Sequence, residues 1–128
     1  MVELTLDTNA VSAFFDGEKE VVDKIDLTPA LYLPAIVIGE FSYGAMKSRN
    51  TETNLLKMEK LAVGCEIIAC DANVARIYAR VKMQLERVGR LIPENDMWIA
   101  ACALQVDLPL LTNDAHFDNV EGLKRVGW

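Results

Sequence analysis

The sequence predicts an α/β protein with a three-layer, Rossmann-like parallel sheet of four to five strands flanked by helices. Short apolar segments alternate with longer amphipathic ones, which is the pattern of strands joined by helical crossovers. An apolar segment at the N-terminus ends abruptly in an acid, as a buried strand does where it reaches solvent. The chain shows no internal repeat, linker or low-complexity segment, so residues 1–128 are predicted to form a single domain.

The first strand is predicted over residues 4–6, and Asp7 follows it directly. Thr8 or Asn9 is expected to cap a helix that begins near Ala10. Asp7 therefore lies where a strand passes into a helix, which is the edge of an open α/β sheet at which ligands bind. The alternative at this point is that Asp7 is only a cap or turn residue.

The first half of the chain continues with alternating elements. Gly17 separates two short helices, and Pro29 and Pro34 flank the second strand. Asn50 or Thr51 is expected to cap the fourth helix. The predicted elements are helices over 10–15, 19–25, 35–47 and 51–62, and strands over 31–33 and 66–69.

In the second half, Asp71 is expected to cap the longest helix, which Gly89 ends. A later helix carries a run of small residues over 100–103 that suits close packing on a sheet. The predicted elements are helices over 72–88 and 95–106, strands over 109–112 and 124–126, and a short turn over 115–117.

Composition places the chain among ordinary globular proteins. It is 52% hydrophobic and 25% charged, with no signal segment and no apolar run of the ~20 residues that would span a bilayer. A soluble cytoplasmic protein is expected. Three cysteines without metal-ligand spacing, Cys65, Cys70 and Cys102, are expected to be reduced, buried thiols.

The net charge of −6 argues against nucleic acid as a partner, but the charge is unevenly distributed. Residues 47–90 carry a net charge of +4, whereas residues 1–46 carry −6 and residues 91–128 carry −4. The candidates for contact with a phosphate backbone are Lys47, Arg49, Arg76, Arg80 and Arg87. A solvated helix face is the alternative for the three arginines of the long helix, which share one stripe.

Four acids are predicted to meet at one edge of the sheet. Asp7 and Asp114 follow strands, whereas Glu40 and Asp96 lie near the starts of helices. Two carboxylates 4 Å apart repel by about 4 kcal/mol at an effective dielectric constant of 20, and no Lys or Arg is adjacent to any of the four in sequence. We therefore predict a divalent metal, and all-oxygen ligands select Mg²⁺ or Mn²⁺. Such a site hydrolyses phosphodiesters without a protein nucleophile.

The spacing of four motifs resembles the PIN domain, and within it the VapC toxins of bacterial toxin–antitoxin pairs. The resemblance covers the whole chain and rests on segments 7–9, 40–44, 93–101 and 112–117, which read DTN, EFSYG, PENDMWIAA and TNDAHF. It implies a Mg²⁺- or Mn²⁺-dependent endoribonuclease that acts on RNA, a homodimer, and neutralisation by an antitoxin protein. No membrane partner is expected.

Carried over by position, Asp7 and Asp96 are the expected metal ligands, and Glu40 and Asp114 complete the catalytic acids directly or through water. Asn9 and Thr112 match polar positions that orient ligands or substrate. The only histidine, His116, invites a role as ligand or general acid, but its place beside Phe117 in a short turn favours a structural role. Aromatic side chains, Tyr43 among them, are expected in the core or an interface, with base stacking as the alternative.

Two other functions compete with this reading. An aspartyl phosphotransferase would use Asp7 as nucleophile, but the second acid expected two residues later is replaced by Asn9. A non-catalytic PIN-like module that binds RNA or protein is the other alternative. It has no need of four mutually repelling carboxylates, so the nuclease is favoured.

Overall fold

The computed structural model describes residues 3–128. The strands are β1 (Leu4–Leu6), β2 (Leu31–Pro34), β3 (Glu66–Ile68), β4 (Leu110–Leu111) and β5 (Arg125–Val126). The helices are α1 (Thr8–Phe15), α2 (Lys19–Leu27), α3 (Ala35–Met46), α4 (Thr51–Val63), α5 (Ala72–Arg87) and α6 (Glu94–Val106), and a 3₁₀ turn spans Ala115–Asn119. Among the residues described, no helix is long and apolar enough to cross a lipid bilayer.

All five strands run parallel in one sheet with the order β3-β2-β1-β4-β5. The chain winds outward from β1 through β2 to β3, and then crosses to the other side of β1 to form β4 and β5. The connections therefore reverse direction between β1 and β4, where Thr5 is paired with Leu110 and Leu6 with Leu111. Such a switch point opens a crevice at the carboxyl ends of the strands, which is where Asp7 lies.

The core lies on both faces of the central strands. All three residues of β1 and both residues of β4 are buried, as expected for parallel strands covered on both sides. The small residues Ala100–Ala103 of α6 are fully buried, so this helix approaches its neighbours closely. Close packing of α6 fixes its N-terminal turn, which carries Asp96, at the edge of the sheet.

The predicted fold is confirmed, and two local predictions are corrected. The first helix begins at Thr8 rather than near Ala10, because Asp7 itself takes the cap position and accepts a hydrogen bond from the Thr8 amide at 2.8 Å. Asn50 takes the cap position of α4, as predicted, and makes no capping hydrogen bond with its side chain. Of the three free thiols only Cys102 is buried, whereas Cys70 is exposed in the loop before α5. The pKa of the Cys102 thiol is raised to about 12, chiefly by burial and in part by the nearby Cys70.

Candidate metal centre

The four predicted acids converge on one cavity of about 330 Å³ at the carboxyl edge of the sheet. Asp7 follows β1 and Asp114 follows β4, the two strands at the switch point. Glu40 comes from the second turn of α3, and Asp96 from the first turn of α6. The cavity is lined by Asp7, Thr8, Asn9, Ser12, Glu40, Asp96 and Asp114.

Asp7 is the most buried of these acids, with only 3% of its surface exposed. Its Oδ2 accepts a hydrogen bond from Thr112 Oγ1 at 2.7 Å, and its Oδ1 accepts the one from the Thr8 amide. Burial raises the pKa of Asp7 from 3.8 to about 6, against the lowering effect of these two hydrogen bonds. The nearby charges of Asp96 and Asp114 contribute to this rise. A cation close to Asp7 would therefore stabilise its ionised form.

Asn9 and Thr112, predicted as supporting polar residues, connect Asp7 to Asp114. Thr112 Oγ1 also lies 3.2 Å from Asn9 Oδ1 and accepts a hydrogen bond from the Asp114 amide at 3.1 Å. Asn9 Nδ2 in turn donates to Asp114 Oδ2 at 3.0 Å. Thr112 therefore orients the buried Asp7, and Asn9 orients the exposed Asp114.

Glu40 is held by two residues that the sequence did not single out for this purpose. Thr8 Oγ1 donates to Glu40 Oε1 at 2.6 Å, and Asn95 Nδ2 donates to Oε2 at 3.3 Å. Both partners stand next to predicted site residues in the chain, at the start of α1 and of α6. The only sequence signal for this role was that each is a polar residue next to a predicted acid. The hydrogen bonds themselves were not predictable, because Glu40 is remote from both in sequence.

Asp96 lies beside the single histidine. Its Oδ2 is 2.9 Å from His116 Nε2, and its side chain is 16% exposed. Burial raises the pKa of Asp96 above its ordinary value, and the charges of Glu40 and Asp114 raise it as well, whereas contact with His116 lowers it. The 3₁₀ turn therefore brings His116 to the acids, a position that its sequence neighbours did not reveal.

The acids lack a cationic partner of the usual kind. Among residues 3–128, no Lys or Arg forms an ion pair with Asp7, Glu40, Asp96 or Asp114. A nitrogen of His116 and one oxygen each from Asp96 and Asp114 lie within 4.8 Å of one another, which is close enough for all three to hold one ion. These carboxylates fit a divalent cation, because the cation offsets their mutual repulsion and the burial of Asp7.

The five basic candidates lie outside this cavity. Lys47 caps the C-terminus of α3, seven residues after Glu40 and therefore on the same helix face, and its Nζ is 4.8 Å from the ring centre of Tyr43. Tyr43 is 64% exposed and is not a core residue. It lines, with Glu40 and Asn95, a groove of about 760 Å³ next to the acids.

The other basic candidates are exposed side chains. Arg49 follows α3 in the turn before α4. Arg76, Arg80 and Arg87 lie along α5, where Arg76 is tied to Asn73 at 3.1 Å. Arg80 lines a separate cavity of about 320 Å³ with Gln84 and Glu121. Lys47 thus lies on the same face of α3 as Glu40. Among residues 3–128, the arginines of α5 share no cavity with the acids.

Comparison with known proteins gives consistent matches over the whole fold. The PIN domain family matches residues 4–123. The VapC ribonuclease Y4jK of Sinorhizobium fredii is 31% identical, in an alignment that covers 94% of this chain and 93% of that protein. The tRNA(fMet)-specific endonuclease VapC of Shigella flexneri is 28% identical over 100% of this chain and 99% of that protein.

Solved structures agree with these sequence matches. In the crystal structure of DNA-bound VapBC from Salmonella typhimurium, one chain superposes with a TM-score of 0.90 at 26% identity, covering 100% of this chain and 99% of that one. The sheet order, the flanking helices and the acidic edge described above are therefore set in an architecture already seen by experiment.

Proposed function

This chain belongs to the PIN domain family and is a VapC-type protein, and from that premise we propose that it is a Mg²⁺- or Mn²⁺-dependent endoribonuclease, the toxin of a type II toxin–antitoxin pair. One observation carries the proposal: four carboxylates share a cavity of about 330 Å³ without a Lys or Arg partner among residues 3–128. Such an arrangement is costly in a protein that does not bind a cation there.

We assign the metal to Asp7 and Asp96, with Glu40 and Asp114 completing the shell directly or through water. A bound divalent ion supplies a Lewis acid for the phosphodiester and a lowered pKa for an attacking water. Thr112 keeps Asp7 oriented and favours its ionised form, while Asn9 fixes Asp114. Thr8 and Asn95 hold the Glu40 carboxylate in place by one hydrogen bond to each of its oxygens. In the overall reaction, water adds to phosphorus and a ribose oxygen leaves.

The RNA approaches along α3 in this proposal. Glu40, Tyr43 and Lys47 lie on one face of that helix, spaced by three and four residues. Lys47, helped by Arg49, would contact phosphates about 10 Å from the acids, given the rise of 1.5 Å per helical residue. The α5 stripe of Arg76, Arg80 and Arg87 is proposed as a further contact for a longer RNA.

The partner is proposed to be a small antitoxin protein that places an Arg or Lys among the acids. The similarity to a chain of a VapBC assembly supports such a partner, and the uncompensated carboxylates supply the complementary charge. Neutralising Asp7 and Asp96 together should then weaken antitoxin binding. Binding that is unchanged by both substitutions would contradict this part of the proposal.

Without its antitoxin, the protein is proposed to be a homodimer in the cytoplasm. Sedimentation equilibrium measures the oligomeric state.

The nuclease is tested by cleavage of a mixed RNA pool that includes initiator tRNA, because the relative from Shigella flexneri is named for tRNA(fMet). Purified antitoxin-free protein is incubated with Mg²⁺ or Mn²⁺, with EDTA, and as the Asp7→Asn and Asp96→Asn variants. Metal-dependent new ends that both variants abolish are the expected result. Sequencing those ends identifies the target.

Absence of cleavage by folded, antitoxin-free protein across several RNA classes would overturn the nuclease and favour the non-catalytic binding module. Circular dichroism and the melting temperature establish that each variant is folded. An exposed charge remote from the proposed site, Glu59 on α4, supplies a matched control as Glu59→Gln.

A further inference from the structure

We infer that His116 is a direct metal ligand, and that its imidazole makes the Asp96–Asp114 side of the site prefer Mn²⁺ and other transition-metal ions over Mg²⁺. The inference rests on the proposed metal site and adds to it the identity of one ligand and of the preferred ion. It starts from an unexplained atom. Among residues 3–128, His116 Nε2 is one of two buried side-chain polar atoms that have no hydrogen-bond partner.

The geometry around this nitrogen is that of two neighbouring ligands. His116 Nε2 is 2.9 Å from Asp96 Oδ2, well within hydrogen-bond distance, yet the pair does not meet the angular requirement of a hydrogen bond. The contact between the nitrogen and the carboxylate oxygen is therefore short without being a well-directed hydrogen bond. Adjacent ligands of an octahedral ion with bonds of about 2.1 Å lie about 3 Å apart, and each points at the ion rather than at the other. A carboxylate oxygen of Asp114 completes the set of three.

The turn that carries His116 is fixed independently of the acids. Phe117 is fully buried beside it. Asp118 also accepts two hydrogen bonds from Arg125, at 2.8 and 3.1 Å, but this exposed pair adds little stability beside the burial of Phe117. The imidazole is thus held at the site before an ion arrives, as a ligand should be.

The choice of ion follows from the donor atoms. Carboxylate and water ligands suit Mg²⁺ and Mn²⁺ alike, whereas imidazole nitrogen adds affinity for transition-metal ions. A site with one nitrogen among its oxygens should therefore discriminate where four carboxylates alone would not. A purely structural histidine would affect both ions equally or neither.

The chain contains one histidine, which makes the test specific. Untagged protein loaded with Mn²⁺ is examined by pulsed electron paramagnetic resonance, and Mn²⁺ and Mg²⁺ affinities are measured by calorimetry. We expect a nitrogen coupling typical of bound imidazole in the wild type and its loss in His116→Gln. Loss of the ligand should weaken Mn²⁺ binding by about tenfold or more and Mg²⁺ binding by less than about threefold.

Two outcomes overturn the inference in distinguishable ways. Mn²⁺ that binds the wild type and is lost in Asp96→Asn, but shows no nitrogen coupling, refutes His116 as a ligand and leaves the proposed nuclease intact. Failure of the wild type to bind Mn²⁺ at all removes both. The His116→Leu variant, which cannot donate an amide oxygen to the ion, separates loss of the imidazole from replacement by a new ligand. The wild-type spectrum does not depend on the folding of any variant.

Discussion

Thr112 Oγ1 donates a hydrogen bond of 2.7 Å to Asp7 Oδ2 across the switch point of the sheet, from the residue after β4 to the residue after β1. Both side chains are buried, Thr112 completely. The same hydroxyl oxygen accepts the Asp114 amide at 3.1 Å. One side chain therefore orients two of the four acids, and it stabilises the ionised form of the most buried one.

Replacing Thr112 by valine, which has nearly the same shape, removes the hydroxyl and leaves the packing. The pKa of Asp7 should rise further, because a hydrogen bond that favours its ionised form is lost. We expect metal affinity and RNA cleavage to fall by about 10- to 100-fold, the range typical of groups that orient metal ligands. Calorimetric titration with Mg²⁺ at pH 7 measures the affinity. Thr112→Ser keeps the hydroxyl and is the matched control, so an equal loss in both variants would contradict the role given to this hydrogen bond.

Asp7→Asn should stabilise the metal-free protein at neutral pH while abolishing cleavage. The folded protein holds the Asp7 proton up to about pH 6, whereas the unfolded chain releases it near 3.8. The free energy of unfolding of the wild type therefore falls as pH rises between these values and is level above them. Asparagine does not titrate, so the variant keeps the stability that the wild type loses above pH 6. Its single amide oxygen accepts from only one of the two donors, Thr8 and Thr112, which offsets part of this difference. We expect the free energy of unfolding of the variant to exceed that of the wild type by about 1–2 kcal/mol at pH 7.5.

Urea denaturation in EDTA at pH 4.5, 6 and 7.5 measures this effect. The difference between the Asn variant and the wild type should grow from the lowest pH to the highest. Added Mg²⁺ should reverse the order at pH 7.5, because only the wild type gains the free energy of metal binding. Parallel pH profiles in EDTA would contradict the burial effect on Asp7.

The fold followed closely from the sequence because recognisable residues mark several of the changes from one element to the next. Pro34, Asp71 and Gly89 mark changes of element that depend on local backbone chemistry, and periodic apolar residues fix the helices between them. The four acids were also predictable, since parallel topology brings the carboxyl ends of neighbouring strands to one edge. Both inferences use information that is local in the chain.

The side-chain network was not predictable in this way. The bond from Thr8 to Glu40 joins residues 32 positions apart, and that from Asn95 to Glu40 spans 55. The cap position of Asp7 was one of the two alternatives for this residue, because a capping aspartate and an aspartate of an acidic site look the same in sequence. The neighbour Phe117 favours a structural role for His116 in the sequence, yet the imidazole lies 2.9 Å from Asp96 of α6. Such contacts depend on the packing of α1, α3 and α6, which no local pattern records.

Lys47→Glu should weaken RNA cleavage and its dependence on salt. Each phosphate contact that is lost reduces the slope of binding against salt concentration by about 0.7 for a single strand. We expect the KM for a short unpaired RNA to rise by about tenfold at 50 mM salt, with a smaller difference at higher salt. Lys57→Glu, an exposed residue of α4, is the matched control. Equal effects of the two reversals would mean that only net charge matters, and an effect confined to Arg80→Glu would move the RNA path to α5.

Phe117→Ala should destabilise the protein and displace His116 from the acids. The Phe117 ring is fully buried, and truncating such a ring costs about 3–5 kcal/mol because a cavity remains in the core.

The same turn is also joined to β5 through Asp118 and Arg125, but Asp118 is more than half exposed, so this ion pair contributes little to stability. Asp118→Asn is therefore the matched comparison, with urea denaturation as the measurement. The Asp118 variant should unfold at the wild-type urea concentration and bind Mn²⁺ within about twofold of the wild-type affinity. Phe117→Ala should lose both stability and Mn²⁺ affinity. A Phe117→Ala protein that unfolds at the wild-type urea concentration would show that the turn is held by other contacts, and that the position of His116 does not depend on the core beneath it.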